Sequence, residues 1–536
     1  MNKFLMPSRI VCSQGVLDAE NLFIDKPMQA GFANDGYTTL KKGGYILLDF
    51  GREIRGGIAI CARSVSSFPK AASCRFVFGE SVMEALSSIG EKNATNDHAI
   101  RDTLVDVPNM GNVFFGNTGF RFFKIEAVDS DVVIKSIKAT LDTLDIEPVG
   151  SFECSDELLN EIWRVGAYTV YLNMGEYLWD GVKRDRLVWL GDMHPEAATI
   201  YAVYGNHPCI KSSLELIKSE TPPSKWINEI PSYSFWWVIN QYDWYMRTGD
   251  LDYLKEQEDY LIAIIERAYA ISVDAPTDNF EFFVDWSSNS DEESKRVGFY
   301  SVMYTCFECG EKIAELLGSR ALAWLCRDGK HNVKALGLEI PKQKQMAGIA
   351  AFSGLVSSVE ANNRVLSIEP IKELSTFMGY YVLLARADAG DVVGALEVVR
   401  EYWGAMLKLG ATSFFEDFDI DWIENAGRID EIVPEGKRDI HGDFGKFCYL
   451  GFRHSLCHGW ASGPTAFLSS HVLGVQIVEA GCKRLRIKPN LAGLEWVRGA
   501  YPTPYGRVEI EHRMVDGKVR TEVRAPEGVE IELICD

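Results

Sequence analysis

No apolar run in this 536-residue chain approaches the roughly 18 residues that a membrane-spanning helix needs, so an embedded protein is not expected. Positive charge is in the minority. Lysine and arginine number 55 against 76 aspartates and glutamates, a net charge of −21. That field repels phosphate, which argues against nucleic acid and anionic membrane as partners and suits a neutral ligand. Nothing at the start reads as a secretory leader, because polar Ser8 and Arg9 follow Met1-Asn-Lys-Phe-Leu-Met-Pro at once. A cytoplasmic location is the expectation, with a leader removed from a longer precursor as the alternative. The 12 cysteines lack a disulfide-like rhythm and read as buried thiols of a reducing compartment. One close pair, Cys306-Phe-Glu-Cys309, has no second CxxC and no histidine nearby, which argues against zinc or redox use. Neither a metal nor a cofactor is expected.

Tryptophan is missing from the first 150 residues; all 13 lie between Trp163 and Trp496. The chain is too long for one hydrophobic core, and this absence marks a boundary. Residues 1–150 hold short strand-like runs between Gly, Asn and Ser breaks: Tyr45–Phe50, Gly57–Ala62, Cys74–Gly79, Thr103–Val107 and Phe120–Ala127. They predict an N-terminal antiparallel β-sandwich. Residues 151–475 change period. From the capped start Ser155-Asp-Glu-Leu-Leu-Asn-Glu-Ile-Trp onward, apolar residues recur at three and four, as in Leu251–Ile265 and Tyr380–Ala387. About a dozen helices fit this span, the number an (α/α)6 barrel needs, with polar, aromatic loops such as Asp285-Trp-Ser-Ser-Asn at one rim. Residues 476–536 return to strands, with Asp516-Gly517 as a hairpin turn. The predicted fold is multidomain: an (α/α)6 helical barrel flanked by N-terminal and C-terminal antiparallel β-sandwich domains.

The densest chemistry lies at Asp180-Gly-Val-Lys-Arg-Asp-Arg-Leu-Val-Trp-Leu-Gly-Asp192. Three carboxylates, Arg184, Arg186 and Trp189 share this stretch. Carboxylates accept hydrogen bonds from sugar hydroxyls, an indole covers a C–H face, and a carboxylic acid can protonate a glycosidic oxygen. The plain alternative is a charged loop bridged to its own arginines. Far downstream stand Gly410-Ala-Thr-Ser-Phe-Phe-Glu416 and Ser455-Leu-Cys-His458-Gly-Trp-Ala-Ser-Gly463. Two carboxylates on separate rim loops of one barrel are what both glycosidase mechanisms use.

At these residues the chain resembles the bacterial α-L-rhamnosidases of glycoside hydrolase family 78. Their first motif, Asp-Cys-Pro-x-Arg-Glu-x-x-Gly-Trp-x-Gly-Asp, matches Asp180, Arg184, Trp189, Gly191 and Asp192 in register. Their second, Gly-Ala-Thr-Thr-x-Trp-Glu, matches residues 410–416. A looser third, His-Tyr-Ala-Tyr-Gly-Ser, falls on residues 458–463. Leu47-Leu-Asp-Phe-Gly resembles the opening of the family's N-terminal sandwich, and Arg484-Leu-Arg-Ile-Lys-Pro with Pro504-Tyr-Gly-Arg resembles its closing β-domain. The resemblance implies an inverting exo-hydrolase of terminal α-L-rhamnose or a related sugar, acting on a carbohydrate substrate. Position by position it puts the acid on Asp185 and the base on Glu416. It puts sugar binding on Asp180, Arg184, Asp192 and His458, with Trp189, Asp285 and Trp286 lining the pocket. The chain departs from the motif at Asp185, one methylene shorter than the family's glutamate, at Gly181-Val182 in place of Cys-Pro, and at Val188 in place of glycine.

Other residues carry plainer expectations. Trp236, Trp237 and Trp244 read as helix-packing aromatics, with a sugar platform as the alternative; Trp237 stays among the sugar-binding candidates. His194 and Glu196 would make a metal pair only if Pro195 did not break their spacing. Glu416, Asp417, Asp419 and Asp421 lack the glycine of a calcium loop. Asn93-Ala-Thr95 is a glycosylation sequon that matters only in an exported eukaryotic protein. Two rival functions stand beside the hydrolase: a non-catalytic sugar-binding protein, and a polysaccharide lyase, which would need tyrosine, histidine and arginine around its substrate.

Overall fold

The computed structural model describes residues 3–32, 36–274, 280–288 and 291–534. In the N-terminal part, Thr38–Val65 is one strand of 28 residues that absorbs two of the expected runs. Gly51 (φ 83°) and Gly56 (φ 156°) let it bend instead of ending. Its start, Thr38–Leu40, and its end, Gly56–Val65, both pair with Val132–Leu141, so the sheet curls back on itself. A Cβ at Gly56 would lie 1.8 Å from the Thr140 carbonyl oxygen, which is why no side chain sits at that bend. Inside, Phe76, Phe78, Phe120 and Phe123 meet edge to face or tilted, the arrangement their ring quadrupoles favour.

The middle is helical. Among the described residues, Leu190–Val203, Pro231–Thr248, Glu292–Leu317, Lys344–Phe352, Gly379–Asp388 and Gly463–Phe467 pack each on the next. The last returns to the first, and an inner ring closes. These helices are largely buried; Leu190–Val203 buries all but one of its residues, Asp192, His194 and Glu196 included. Outer helices are one-sided. Arg320–Ala335 buries Leu322, Ala323, Cys326, Gly329 and Val333 along one stripe and leaves the rest exposed or half-buried. The run expected as one helix from Leu251 splits at Gln257 into Leu251–Glu256 and Glu258–Val273. No helix among the described residues is long and apolar enough to cross a membrane. Among the same residues the cysteines form no disulfide, and Cys306 and Cys309 are buried thiols inside Glu292–Leu317.

Two corrections concern the C-terminal part. Ser151–Cys154, expected at the start of the barrel, is a strand pairing with Trp496–Thr503 in the last domain's four-stranded sheet. Its alternation explains this: Phe152 and Cys154 are buried while Ser151 and Glu153 are exposed, and Glu153 pairs with Arg498. Nor is the domain wholly antiparallel. The chain crosses between sheets after Arg524, and Glu530–Leu533 joins Arg484–Ile487 in parallel. Asp516 and Gly517, both at positive φ, make the expected hairpin turn.

A buried ionic cluster fastens the N-terminal domain to the barrel. Lys183 Nζ lies 2.9 Å from Glu80 and 3.3 Å from Glu84, and donates to the carbonyls of Phe452 and His454. Glu80, Glu84 and His441 are the one group among the described residues whose ligand atoms converge as metal ligands do, and the ammonium is already among them. Burial pushes the Glu80 carboxyl up to about 7, against the pull of Lys183. A carboxyl raised in the fold stabilises it fully below the unfolded value of about 4.3 and loses that contribution as pH climbs through about 7. Lys183→Met is therefore expected to cost about 3–5 kcal/mol at pH 8, where the Glu80 carboxylate loses its counter-charge, and clearly less at pH 5. Chemical denaturation at the two pH values measures this. An equal loss at both would show that the lysine's charge is not what matters.

Candidate active site

The loop from Trp179 to Trp189 is closed by its own ends. The Asp180 N–H donates to the Leu187 carbonyl at 3.1 Å, and the Leu187 N–H donates to Asp180 Oδ1 at 2.9 Å. Between them Asp185 and Arg186 both take left-handed backbone, at φ 55° and 58°. The N-terminal domain clamps the loop from outside. The Gly119 N–H donates to the Val182 carbonyl at 2.9 Å. Arg186 donates to the carbonyl and side-chain oxygens of Asn117 and lies 4.4 Å over the Trp179 ring. From the barrel side, the Gly459 N–H reaches the Asp180 carbonyl at 2.8 Å, and Gly181 bridges to His458.

Trp189 is the N-cap of the helix Leu190–Val203, which carries Asp192 in its first turn. Gly191 is a packing requirement, since a Cβ there would meet the Tyr233 ring at 2.6 Å. Glu416 stands in the loop after Gly404–Lys408. Its backbone N–H donates to the Ser455 carbonyl, and its own carbonyl accepts from Trp460 Nε1 and the Thr376 hydroxyl. Its side chain is wholly enclosed. One oxygen accepts the Ser455 N–H at 3.0 Å, and the other pairs with Arg184.

These loops enclose a cavity of about 220 Å³. Asp180, Arg184, Asp185, Trp189, Asp192, Trp286, Glu416 and His458 all line it. Arg184 is its centre of charge. One end of the guanidinium holds Glu416, the other lies 3.6 Å from Asp185, and the plane rests over Tyr449. The two carboxylates therefore face each other within about 8 Å, the reach of one planar fork. Burial, then the neighbouring Asp185, pushes the Asp180 carboxyl well above the usual carboxylate range. Burial, then Asp180 and Glu416, does the same to Asp192. Burial and the Arg184 charge hold His458 well below the ordinary imidazole value. Its Nε2 lies 3.1 Å from Asp192, and its Nδ1, without a hydrogen-bond partner, lies 3.7 Å from Glu416.

Two expected contacts fall elsewhere. Trp237 does not line the cavity. It is fully buried, its Nε1 donates to the Leu214 carbonyl, and its ring meets Tyr260 edge-on. On that helix Tyr233 and Trp236 face the barrel interior, while Trp237 turns to the outer helices. Asp285 sits beside the cavity without lining it. Its carboxylate accepts from the Ser287 hydroxyl and from the N–H groups of Trp286 and Ser287, so it shapes the turn that presents Trp286; burial lifts it to about 6. Asn289 of the same run lies outside the described residues.

Several lining residues were not among the expected site residues, though Trp460 lies within the third motif. Tyr233, Phe283, Tyr449 and Trp460 arrive from four different segments. His98, from the N-terminal domain, places Nε2 3.3 Å from Asp185 and 3.3 Å from Asp97, and Arg453 holds Asp97. The remaining candidates disperse. His194 bonds Tyr381 and stacks on Trp236. Glu196 occupies the space a Cβ on Gly459 would take. Asp419 pairs with Lys446 and Asp421 with Lys372, so these carboxylates do not converge with Glu416.

Comparison with known proteins places this geometry. The family model described as the bacterial alpha-L-rhamnosidase 6 hairpin glycosidase domain matches residues 147–336, and the bacterial alpha-L-rhamnosidase C-terminal domain matches residues 474–535. An alpha-L-rhamnosidase of Formosa agariphila is 33% identical over 111 residues, 21% of this chain and 12% of that one. The GH78 family rhamnosidase of Bacillus sp. GL1 superposes on 96% of this chain with a TM-score of 0.76 at 20% identity. The chain spans 55% of that protein's length. A Klebsiella oxytoca rhamnosidase solved with rhamnose bound gives 0.68 at 19% identity, over 87% of this chain and 95% of its own. Residues 147–336 and 474–535 thus match models of the bacterial α-L-rhamnosidases, and the chain as a whole shares the fold of the solved rhamnosidases, a helical barrel between β-sheet domains.

Proposed function

We propose that the protein is an exo-acting glycoside hydrolase that releases a terminal α-L-rhamnose, or a closely related sugar, with inversion at the anomeric carbon. One observation carries this reading: Asp185 and Glu416 flank a single guanidinium at the wall of an acidic cavity. The cavity is smaller than the roughly 300–1,000 Å³ of drug-sized sites, which suits one terminal ring. Ile230 and Phe283 give it an apolar patch fitting the methyl group of a 6-deoxy sugar, and Trp189 and Trp286 offer faces for ring C–H groups. Asp180 and Asp192 address the hydroxyls. Held protonated more readily than ordinary carboxylates, they donate as well as accept.

The step follows from the geometry. Asp185 gives its proton to the glycosidic oxygen as the bond from that oxygen to the anomeric carbon breaks. A water on the opposite ring face attacks the carbon and passes its proton to Glu416. Inversion needs carboxyls about 6.5–9.5 Å apart, against about 5–5.5 Å for retention. The two contacts on Arg184 hold the carboxylates no more than about 8 Å apart, so the anomer formed first decides between the two. A lyase reading is weaker although Tyr233, Tyr449 and His458 line the cavity. Arg184 is engaged by Glu416 and Asp185, and Arg453 by Asp97, so neither cation is open to a uronate.

Glu416→Gln is expected to lower turnover of nitrophenyl α-L-rhamnoside by about 10²–10⁴-fold, and proton NMR should show the β-anomer as the first product of the wild type. A first-formed α-anomer, or a variant as active as the wild type, would remove Glu416 as the base. Binding of rhamnose without turnover by the wild type would favour the sugar-binding alternative.

Asp185→Asn should damage an alkyl rhamnoside far more than a dinitrophenyl one, since only the poor leaving group needs a proton. Equal losses on both substrates would move the acid elsewhere. His98→Ala tests the contact from the other domain. A loss of about tenfold is expected on the alkyl substrate, little on the dinitrophenyl one, and nothing further when Asp185→Asn is already present. Additive losses would make His98 independent of Asp185.

A further inference from the structure

Three consecutive residues each hold one acidic residue of the cavity. His458 Nε2 lies 3.1 Å from the Asp192 carboxyl, the Gly459 N–H donates to the Asp180 carbonyl at 2.8 Å, and Trp460 Nε1 donates to the Glu416 carbonyl at 2.8 Å. The turn they form is seated on the helix Leu190–Val203. Asp192 meets it at one end. At the other, the Thr199 hydroxyl donates to the Ser462 carbonyl at 3.1 Å, and the Ser462 hydroxyl donates to the Gly459 carbonyl at 2.7 Å.

Between these two contacts stands Glu196, one helical turn from Asp192 and on the same face. It is 1% exposed and does not line the cavity. Its carboxyl presses on Gly459, where a Cβ would lie 1.9 Å from Oε1 and 2.6 Å from the carboxyl carbon. Oε1 has no hydrogen-bond partner, and among the described residues Glu196 forms no salt bridge. The groups that face it supply no positive charge. Asp192 and Asp180 are acids, and Cys209, from the helix Pro208–Glu220, is a thiol that burial pushes up to about 12. Burial and Arg184 hold His458 well below the ordinary imidazole value, and Arg184 itself serves Glu416 and Asp185. A carboxylate withdrawn from water with neither cation nor donor costs far more than the neutral acid. Burial, then Asp192 and Asp180, accordingly push the Glu196 carboxyl well above its ordinary value. An apolar side chain would fill the same space without an unpaired polar atom, so the carboxyl calls for a reason.

We propose that Glu196 is a positioning residue which, as an uncharged acid, seats the turn 458–460 and so keeps Asp180, Asp192 and Glu416 converged on one sugar. The part those three residues play rests on the hydrolase reading; the seating of the turn does not. When the proton leaves, a charge without a counter-ion stands beneath Gly459 and one turn from Asp192, and the turn lifts toward water. The hold is complete at low pH and fades as pH climbs through the raised value of the carboxyl, the sign that follows for an acid whose proton the fold keeps.

On the whole protein, the infrared difference spectrum of wild type against Glu196→Gln at about pH 6 should contain the C=O stretch of a protonated carboxylic acid. A spectrum without it overturns the proposal. With nitrogen-15 in the histidines, the His458 ring signals of the wild type should shift between about pH 6 and about pH 9, in step with the loss of that infrared band, while those of Glu196→Gln stay near their place at the lower pH. A shift of equal size in both proteins, or in neither, also overturns it. Calorimetry with L-rhamnose is expected to show wild-type affinity falling about tenfold over the same range, against less than about twofold for Glu196→Gln. Equal falls would overturn the positioning role and leave the hydrolase reading intact. A wild type that binds no rhamnose removes the sugar reading instead, and the infrared and histidine signals then decide on Glu196. If Glu196→Gln does not fold, Glu196→Met, uncharged and of similar size, takes its place in each comparison.

Discussion

Two neighbouring cations, Lys183 and Arg184, stand between two buried groups of carboxylates, and the shape of the site follows from how each meets its group. Lys183 turns toward Glu80 and Glu84 at the joint between domains. Arg184 turns toward Glu416 and Asp185 in the cavity. Adjacent residues pointing to opposite sides fix the backbone between them, and carboxylates gathered away from water need a counter-charge to stay ionised. The two cations are not interchangeable. The ammonium is compact and suits a nest of carboxylate and carbonyl oxygens, whereas the planar fork reaches two separate carboxylates at once. An exchange of the two would leave the cavity with a point charge unable to address both of its sides.

The same loop makes the N-terminal domain part of the site. Asn117 holds Arg186, Gly119 holds Val182, and His98 reaches Asp185. Those contacts leave the segment bearing the proposed acid little room to move on its own. They also make its position depend on the Glu80–Lys183–Glu84 cluster that joins the domains. Stability and chemistry are coupled here through a single stretch of chain, since the residues that dock the domain lie within three positions of those that line the cavity.

Most of this was legible in the sequence because it rests on local pattern. The shift from alternating to three-and-four apolar spacing separated sheet from helix, and the crowding of Asp180, Arg184, Trp189 and Asp192 marked the site. What stayed hidden depends on partners distant in the chain. Ser151–Cys154 has a strand's alternation but no turn to name its partner, which lies more than 300 residues away. Tyr233 and Tyr449 look like any core aromatics until the barrel closes around them. Trp237 misled for the same reason: one position along a helix decides between the interior and the outer wall, and composition does not carry that angle. His98 had no signal beyond being a histidine in a polar loop.

The short side chain of Asp185, the proposed acid, and its backbone belong together. A left-handed conformation is costly for most side chains and least so for glycine, asparagine and aspartate. Asp185 takes that conformation, as does Arg186 after it. The turn lets residue 185 face Glu416 while residue 186 swings out to Asn117 and Trp179. A glutamate would bring one more methylene but would fit this backbone less well, and the closed hydrogen bonds between Asp180 and Leu187 leave the loop no other way around. What Asp185, the proposed acid, gives up in length is met from the opposite side. Arg184 and His98 both lie against the Asp185 carboxyl, at 3.6 and 3.3 Å, and fix where it stands. Aspartate at this position is therefore consistent with a working acid, because the loop sets the reach that the side chain alone would otherwise have to supply.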